Sequence, residues 1–399
     1  MAVKSNYRLI LFLMLVVAVT LLSFTLKNIR FASSADEGYY FRYASFIAQK
    51  GLSGFGALFK NYLENQQFWL YPNPLRVGFI ILSAIWFKVA GASFMNLAYL
   101  SLIFYAFFLF ASYYFSRKYL GEKLALPFVI LLASSPIQLA MSRRALMDSA
   151  VNLFSSLSIW LFWSSLKKRG WLKLTIFIAV YSFSILVKET IILLTVPFLI
   201  LLLIERFVYK NKVSVKYFLA VLLLPPFIAL SVYALLGCLP FVSDTVRIIL
   251  SSPRANSYAI SFGSGPWYRY LIDYMLLSPW VVILATGFIF YFFLNKENNE
   301  LVVYFAVIFV SSFILFDFFT KNLRYVMILD MPLRLFSLLM LNIIANKFFG
   351  RAAAGMVLIL TITLAFFDCL NFYHLFVQSS IYDPMSFFLF RAQHLIPFK

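Results

Sequence analysis

The sequence predicts an all-α polytopic membrane protein with about eleven transmembrane helices, and three observations carry that expectation. Of 399 residues, 63% are hydrophobic and only 12% charged, against about 45 to 50% apolar and about 25% charged in a soluble domain. Uninterrupted apolar runs of span length recur along the whole chain, and one bilayer crossing takes about 20 such residues. The short loops between those runs alternate in charge. An ordinary water-soluble enzyme is thereby excluded. With two cysteines, Cys238 and Cys369, so are a disulfide scaffold and a Cys-rich zinc site, and unpaired thiols are expected. The net charge of +19 suggests anionic lipid or substrate rather than nucleic acid, because no basic run is clustered with a soluble fold.

The apolar runs fall at 9–27, 95–116, 124–141, 150–166, 172–187, 190–208, 217–237, 272–294, 301–319, 325–345 and 353–370. A weaker run at 75–90 opens after Pro72 and Pro74 and ends at Lys88, and charge decides its role. If it does not cross, the loops on the N-terminal side hold sixteen of the 34 basic residues, among them Arg117, Lys118, Lys167, Lys173, Lys210 and Lys216. The positive-inside rule then makes that side cytoplasmic. Most acids and the long segments, 28–94, 238–271 and 371–399, fall on the outer side. Residues 1–370 read as one transmembrane domain and 371–399 as a short outer tail with no separate soluble domain. The first run is read as a span rather than a signal peptide, since Lys27 and Arg30 intervene before the small residues Ala32 to Ala35.

The outer side collects the chemistry. Ser34 and Glu37 have capping-box spacing at the head of a segment with Tyr39, Tyr43, Phe46 and Ile47 on one helical face and Arg42, Ser45 and Gln49 on another. It reads as an interfacial amphipathic helix, with Asp36 and Glu37 at its positive end. Arg143, Arg144 and Asp148 lead into the 150–166 run, and if that stretch is helical Arg144 and Asp148 share a face. Lys188, Glu189 and Thr190 interrupt two apolar runs with almost no loop, and charge beside lipid usually marks a pathway or a site. Trp267, Tyr268, Arg269 and Tyr270 precede another span, and Lys321, Arg324 and Tyr325 open a further one. Aromatic residues at these positions are more often membrane-belt residues than ligands. Carboxylates at this level can take a proton from an attacking hydroxyl, while Arg and Lys can hold a departing phosphate.

These residues resemble the GT-C superfamily of polyprenyl-phosphate-dependent glycosyltransferases, especially the protein O-mannosyltransferase and lipid A aminoarabinose transferase branch. The resemblance covers roughly residues 5–345 and rests on motif order: Asp36-Glu37, Tyr71-Pro72-Asn73-Pro74-Leu75-Arg76, Ser135-Pro136, Ser142-Arg143-Arg144 with Asp148, Lys188-Glu189-Thr190, Pro266-Trp267-Tyr268, and Arg324-Tyr325 with Pro332. It implies an outward-facing site in the plasma membrane, a sugar carried on a polyprenyl phosphate, and inverting transfer to a hydroxyl of a lipid, glycan or protein acceptor. Asp36 would be the catalytic base, with Glu37 and Asp148 orienting it or the acceptor. Arg144, Lys188, Arg324 and Arg76 would contact the donor phosphate, and Arg143, Glu189, Tyr268, Arg269 and Tyr325 would complete the substrate site. Here Asn73 separates prolines that the family often places side by side.

Two other readings stay open on the residues alone. Intramembrane charges also line the paths of transporters and lipid flippases, although no internal repeat is visible here, and a non-catalytic assembly protein could keep the same motifs. A divalent cation joining Asp36 or Asp148 to the phosphate is compatible with the carboxylates. His374 and His394 lack metal-ligand spacing with the acids and read as surface residues.

Overall fold

The computed structural model describes residues 22–380 except 24, 27–28, 30, 34, 168–169, 212, 256–262, 264, 296–298 and 320. The expected first span at 9–27 lies almost wholly outside the described residues, as do Ser34 and the tail beyond 380 with His394. Every regular element among the described residues is helical. In chain order the α-helices are α1 (Asp36–Lys50), α2 (Phe55–Glu64), α3 (Val77–Ala90), α4 (Phe94–Tyr119), α5 (Glu122–Ala133), α6 (Pro136–Ser142), α7 (Asp148–Lys167) and α8 (Trp171–Val187). They continue with α9 (Thr195–Phe207), α10 (Val215–Leu235), α11 (Leu239–Ala255), α12 (Arg269–Leu277), α13 (Pro279–Leu294), α14 (Glu300–Asp317), α15 (Asp330–Phe349) and α16 (Ala353–Phe372). Two 3-10 turns, Glu189–Leu194 and Leu323–Leu329, lead into α9 and α15.

Local chemistry sets the boundaries. Ser93 caps α4 by accepting from the amide of Asn96, and Asn299 caps α14 by accepting from Leu301 and Val302; each satisfies donors the first helical turn leaves free. Pro136 opens α6, where its missing N–H costs nothing, and the break before it bends α5 against α6 by 61°. Gly350, at φ +47°, turns α15 back into α16, a left-handed conformation that glycine adopts without steric cost.

Five of the described helical stretches are long and apolar enough to cross a membrane: Phe94–Tyr119, Glu189–Phe207, Val215–Leu235, Glu300–Asp317 and Leu323–Gln378; the bent α5–α6 pair makes a sixth. The other expected spans differ for identifiable reasons. Helix α7 carries Ser149, Ser155, Ser156, Ser158, Ser164 and Ser165, which lower its hydropathy, while α8 and α13 are shorter apolar helices. The serines let α7 pack closely: the hydroxyls of Ser158 and Ser184 meet at 3.0 Å between α7 and α8. Beside them the enclosed Trp160 stacks on Phe115 at 5.7 Å and meets Phe305 edge-on.

The ambiguous run at 75–90 forms α3, whose 14 residues make about 21 Å at 1.5 Å per residue, less than the roughly 30 Å of a hydrocarbon core. Both of its ends lie beside α1, with Phe79 on Tyr40 and Phe87 on Phe41. Its first turn sits directly on the end of α8. A Cβ on Gly78 would meet the backbone of Leu186 and Val187 at 3.0 to 3.1 Å, so any side chain here would have to push the two backbones apart by a few tenths of an ångström.

Polar contacts mark the two ends of the bundle. At one end Lys167, closing α7, pairs with Glu300, which opens α14, and lies 3.7 Å from Glu205. Asp148, Lys188 and Asp317 are at the opposite ends of α7, α8 and α14, so antiparallel packing brings them together. Gly78→Val should overpack the α3–α8 contact and destabilise the chain by about 1–3 kcal/mol. The check is thermal unfolding of the purified protein in detergent, where an unchanged Tm would show that the backbones can separate without cost.

Candidate functional site

The site is built where α1 begins. Helix α1 buries Tyr39, Tyr40, Tyr43, Ala44 and Ile47, the face expected from spacing, and Asp36 and Glu37 occupy its first turn. The Ser34 half of the expected capping box lies outside the described residues, and the Glu37 carboxylate turns inward. Its carboxylate accepts from the amide of Ala32 at 2.7 Å and from that of Ala145 at 3.0 Å, and it pairs with Arg144. Buried to 2% exposure, Glu37 thus fastens the segment before α1 to the turn before α7. Gly38 makes this possible, since a Cβ there would collide with the backbone carbonyl of Ser33.

The proline-rich segment is pinned by three side chains. Tyr43 donates to the carbonyl of Pro72 at 2.9 Å and Tyr233 to that of Leu75 at 2.7 Å, while Asn73 Oδ1 accepts from the amide of Leu75 at 3.0 Å. The Asn73 amide also donates to Glu189 at 2.9 Å. Arg76 then lies 3.3 Å from Glu189, with its guanidinium also on the Tyr40 hydroxyl. The Tyr40 hydroxyl in turn donates to Met147 Sδ at 3.2 Å.

These elements enclose a cavity of about 680 Å³, walled by Asp36, Glu37, Asn73, Arg76, Arg144, Lys188, Glu189, Lys321, Arg324 and Tyr325, with Tyr62, Trp69, Leu70 and Tyr71 on one side. Its charges are matched almost throughout. Arg324 reaches Asp36 at 3.0 Å and Asp148 at 3.8 Å, Arg76 holds Glu189, Arg144 holds Glu37, and Lys321 holds Asp317 at 2.8 Å. Lys188 differs. Among the described residues its ammonium meets no carboxylate and lies over the Tyr325 ring, 4.2 Å from the centroid. At 3% exposure, burial pushes this amine down to about 8, with Asp148 pulling the other way. A buried cation without a counter-ion is costly, and an anion entering the cavity would relieve that cost.

The carboxylates divide by access. The side chain of Asp36 is 35% exposed, against 19% for Glu189, 4% for Asp148 and 2% for Glu37. Asp36 is therefore the most open of the four carboxylates, while Asp148 reaches the site through Arg324. Among the described residues no group of three or more His, Cys, Asp and Glu side chains could hold a metal ion.

Nine of the twelve residues expected at the site from sequence converge here, and three do not. Arg143, next to Arg144, points the other way: it donates to the carbonyl of Thr25 at 3.0 Å and lies over the Phe372 ring. Arg269 is enclosed at 1% exposure, 3.9 Å from Asp273 one turn along α12, and Tyr268 is 45% exposed outside the cavity wall. The expected Arg144–Asp148 face is also corrected, because α7 starts only at Asp148 and the preceding turn aims Arg144 at Glu37 instead. Tyr40 and Asn73 were missed. The spacing of Tyr40 beside the buried stripe of α1 was visible, but nothing in it announced a hydroxyl aimed at Arg76.

Apolar helices gathered under a charge-lined cavity at one end define a polytopic membrane protein. Residues 73–233 match the family model for dolichyl-phosphate-mannose-protein mannosyltransferases, a family of the GT-C superfamily. No curated protein matches the chain. The family match supports a membrane glycosyltransferase that uses a polyprenyl-phosphate sugar donor. It spans Asn73, Arg76, Arg144, Asp148, Lys188 and Glu189, while Asp36 precedes it and Arg324 follows it.

Glu37→Ala should take the carboxylate away from Arg144 and from the amides of Ala32 and Ala145, breaking a buried pair at about 3–5 kcal/mol, whereas Asp36→Asn, at a part-exposed position, should cost about 1 kcal/mol or less. Comparison of the two Tm values checks this, and equal shifts would contradict the division of labour between the neighbouring acids.

Proposed function

We propose that this chain transfers one sugar, with inversion, from a polyprenyl monophosphate to an acceptor hydroxyl on the extracytoplasmic side of the plasma membrane. The observation that carries the reading is Lys188, a buried ammonium that among the described residues makes no direct ion pair, in a cavity whose other described cations are all paired. That is the electrostatic vacancy a phosphate monoanion or dianion fits.

In the proposed step Asp36 takes the proton of the acceptor hydroxyl. The acceptor oxygen bonds to the anomeric carbon from the face opposite the phosphate, and the bond from that carbon to the phosphate oxygen breaks. Its electron pair leaves with the polyprenyl phosphate. The charge that grows on the departing oxygen falls to Lys188, with Arg76, Arg144 and Arg324 beside it, fixed cations that need no rearrangement as charge develops. Glu189, Glu37 and Asp148 hold those three guanidinium groups in place, and Tyr325 seats the Lys188 ammonium. The acceptor is a lipid, glycan or protein hydroxyl reaching Asp36 from the open side of the cavity, and surrounding membrane lipids are the other partners.

Polyprenyl-phosphate mannose with radiolabelled sugar, presented with native envelope extract to the full chain in nanodiscs, tests the chemistry. Asp36→Asn should lower transfer by about 10²- to 10⁴-fold with the protein still folded. Lys188→Gln should raise the donor KM roughly 10- to 100-fold, the loss of one charge-assisted hydrogen bond of about 1.5–3 kcal/mol. Normal turnover by the Asp36 variant would remove it from the role of base.

The side of the membrane is proposed from charge. The sixteen basic residues of the N-terminal-side loops favour the cytoplasm, which leaves the Asp36 end outside. In a background with both native cysteines replaced, Gly170→Cys should resist a membrane-impermeant thiol reagent in intact cells and react once the membrane is opened. Labelling in intact cells would reverse the orientation.

A further inference from the structure

A second group of buried charges lies inside the bundle and lines no part of the cavity. Arg334, on α15, is fully enclosed. It donates from Nε to Asp330 at 2.9 Å, from one terminal nitrogen to Asp368 at 2.7 Å and to the carbonyl of Leu131 at 2.6 Å, and from the other to the Ser278 hydroxyl at 3.1 Å. The second oxygen of Asp330 accepts from the Gln138 amide at 3.4 Å, and the Gln138 carbonyl oxygen accepts from the Asn152 amide at 2.9 Å. Asp330, Gln138, Asn152 and Asp368 are each at most 4% exposed. Polar groups this deep between apolar helices are expensive and tend to be functional, and the proposed reaction uses none of them directly.

The place of each member in the chain shows what the group can do. Asp330 is the first residue of α15 and directly follows the Leu323–Leu329 turn, which carries Arg324. Gln138 is on α6, whose end at Ser142 leads within two residues to Arg144. Asn152 lies four residues after Asp148 on α7 and so shares its face. The three elements that deliver Arg324, Arg144 and Asp148 are therefore tied to one another about one turn below the cavity. Arg334 anchors that tie to α5, to α16 and to the start of α13.

We propose that Arg334, Asp330, Gln138 and Asn152 form a positioning framework that sets the placement of Arg324 and Asp148 against Asp36. The proposal rests on the roles given above to Arg324 and Asp148. Apolar packing alone lets one helix shift on another at little cost, whereas buried hydrogen bonds are directional and strengthened by the low dielectric. Misplacement of reacting groups by about 1 Å can cost about 10²-fold in rate. Lys188 stands on a different element but is seated on Tyr325, in the same turn as Arg324, so loosening the framework should act on capture of the donor as well as on the chemical step.

The experiment uses Gln138→Met and Asn152→Leu, which cut the tie at two points while Asp330 keeps its pairing with Arg334. Each is reconstituted as the full chain in nanodiscs and assayed with polyprenyl-phosphate mannose and native envelope extract, alongside thermal unfolding. The expected result is a kcat/KM for the donor lowered roughly 10- to 100-fold, with Tm close to that of the unmodified chain. Adding either substitution to Arg324→Gln should lower transfer by less than the product of the separate losses, because part of each effect passes through Arg324. Native kcat/KM with a lowered Tm, losses that multiply in the double variants, or failure of both single variants to fold would each overturn the proposal and leave the network a brace for the fold. Normal transfer by Arg324→Gln alone would bring down the donor-site reading together with it. A defective Arg324→Gln beside fully active Gln138 and Asn152 variants would sink the framework alone.

Discussion

Arg324 holds Asp36 at 3.0 Å and Asp148 at 3.8 Å, and the rest of the cavity is arranged around that bridge. Two carboxylates drawn this close into a poorly hydrated pocket repel one another, and one guanidinium between them satisfies both. The same rule governs the neighbouring pairs, Arg76 with Glu189 and Arg144 with Glu37. Charge that cannot be hydrated must be matched, and the matching fixes which helices stand side by side. Among the described residues Lys188 is where direct pairing stops, and the proposed phosphate site is built on that cation.

The fold supplies this arrangement by economical means. Antiparallel helices return to the same end of the bundle, so residues distant in sequence meet without any long loop reaching across. Close approach is then secured at a few points where side chains are small. Gly78 seats α3 on α8, Gly38 lets the segment before α1 pass over the helix, and Ser158 and Ser184 bring α7 and α8 together. The aromatic side of the cavity is continuous with α1, since Tyr71 stacks on Tyr39 at 4.2 Å and Tyr39 carries Arg42 on its ring. Beneath this layer the enclosed Arg334 joins two aspartates, so the interior of the bundle obeys the same charge rule as the cavity.

Much of the site was legible before any coordinates because charge is rare in this chain. With 12% of residues charged, each acid or base beside an apolar run stands out, and Asp36, Arg76, Arg144, Lys188, Glu189 and Arg324 all announced themselves in that way. Direction was not legible. Arg143 and Arg144 are equivalent in sequence, yet one faces Thr25 and Phe372 while the other faces Glu37, because a turn and not a helix joins α6 to α7. Asp36 and Glu37 likewise look interchangeable, and only burial separates a part-exposed acid from one whose oxygens are already engaged by backbone amides. Asn73 and Tyr40 were invisible because neutral polar residues are common and carry no sign of their partners.

The sequence by itself determined the class of the protein, since apolar runs of this length and number have no stable place in water, and it determined which end of the bundle would gather the acids. It also carried the family resemblance in the order of its motifs. Pairing was decided only by the tertiary structure. Which cation faces which carboxylate depends on helix rotation, on where α7 begins and on the bend before Pro136. Those are set by packing among many side chains at once and not by local spacing, and among the described residues they leave Lys188 as the cation in the cavity wall without a carboxylate of its own.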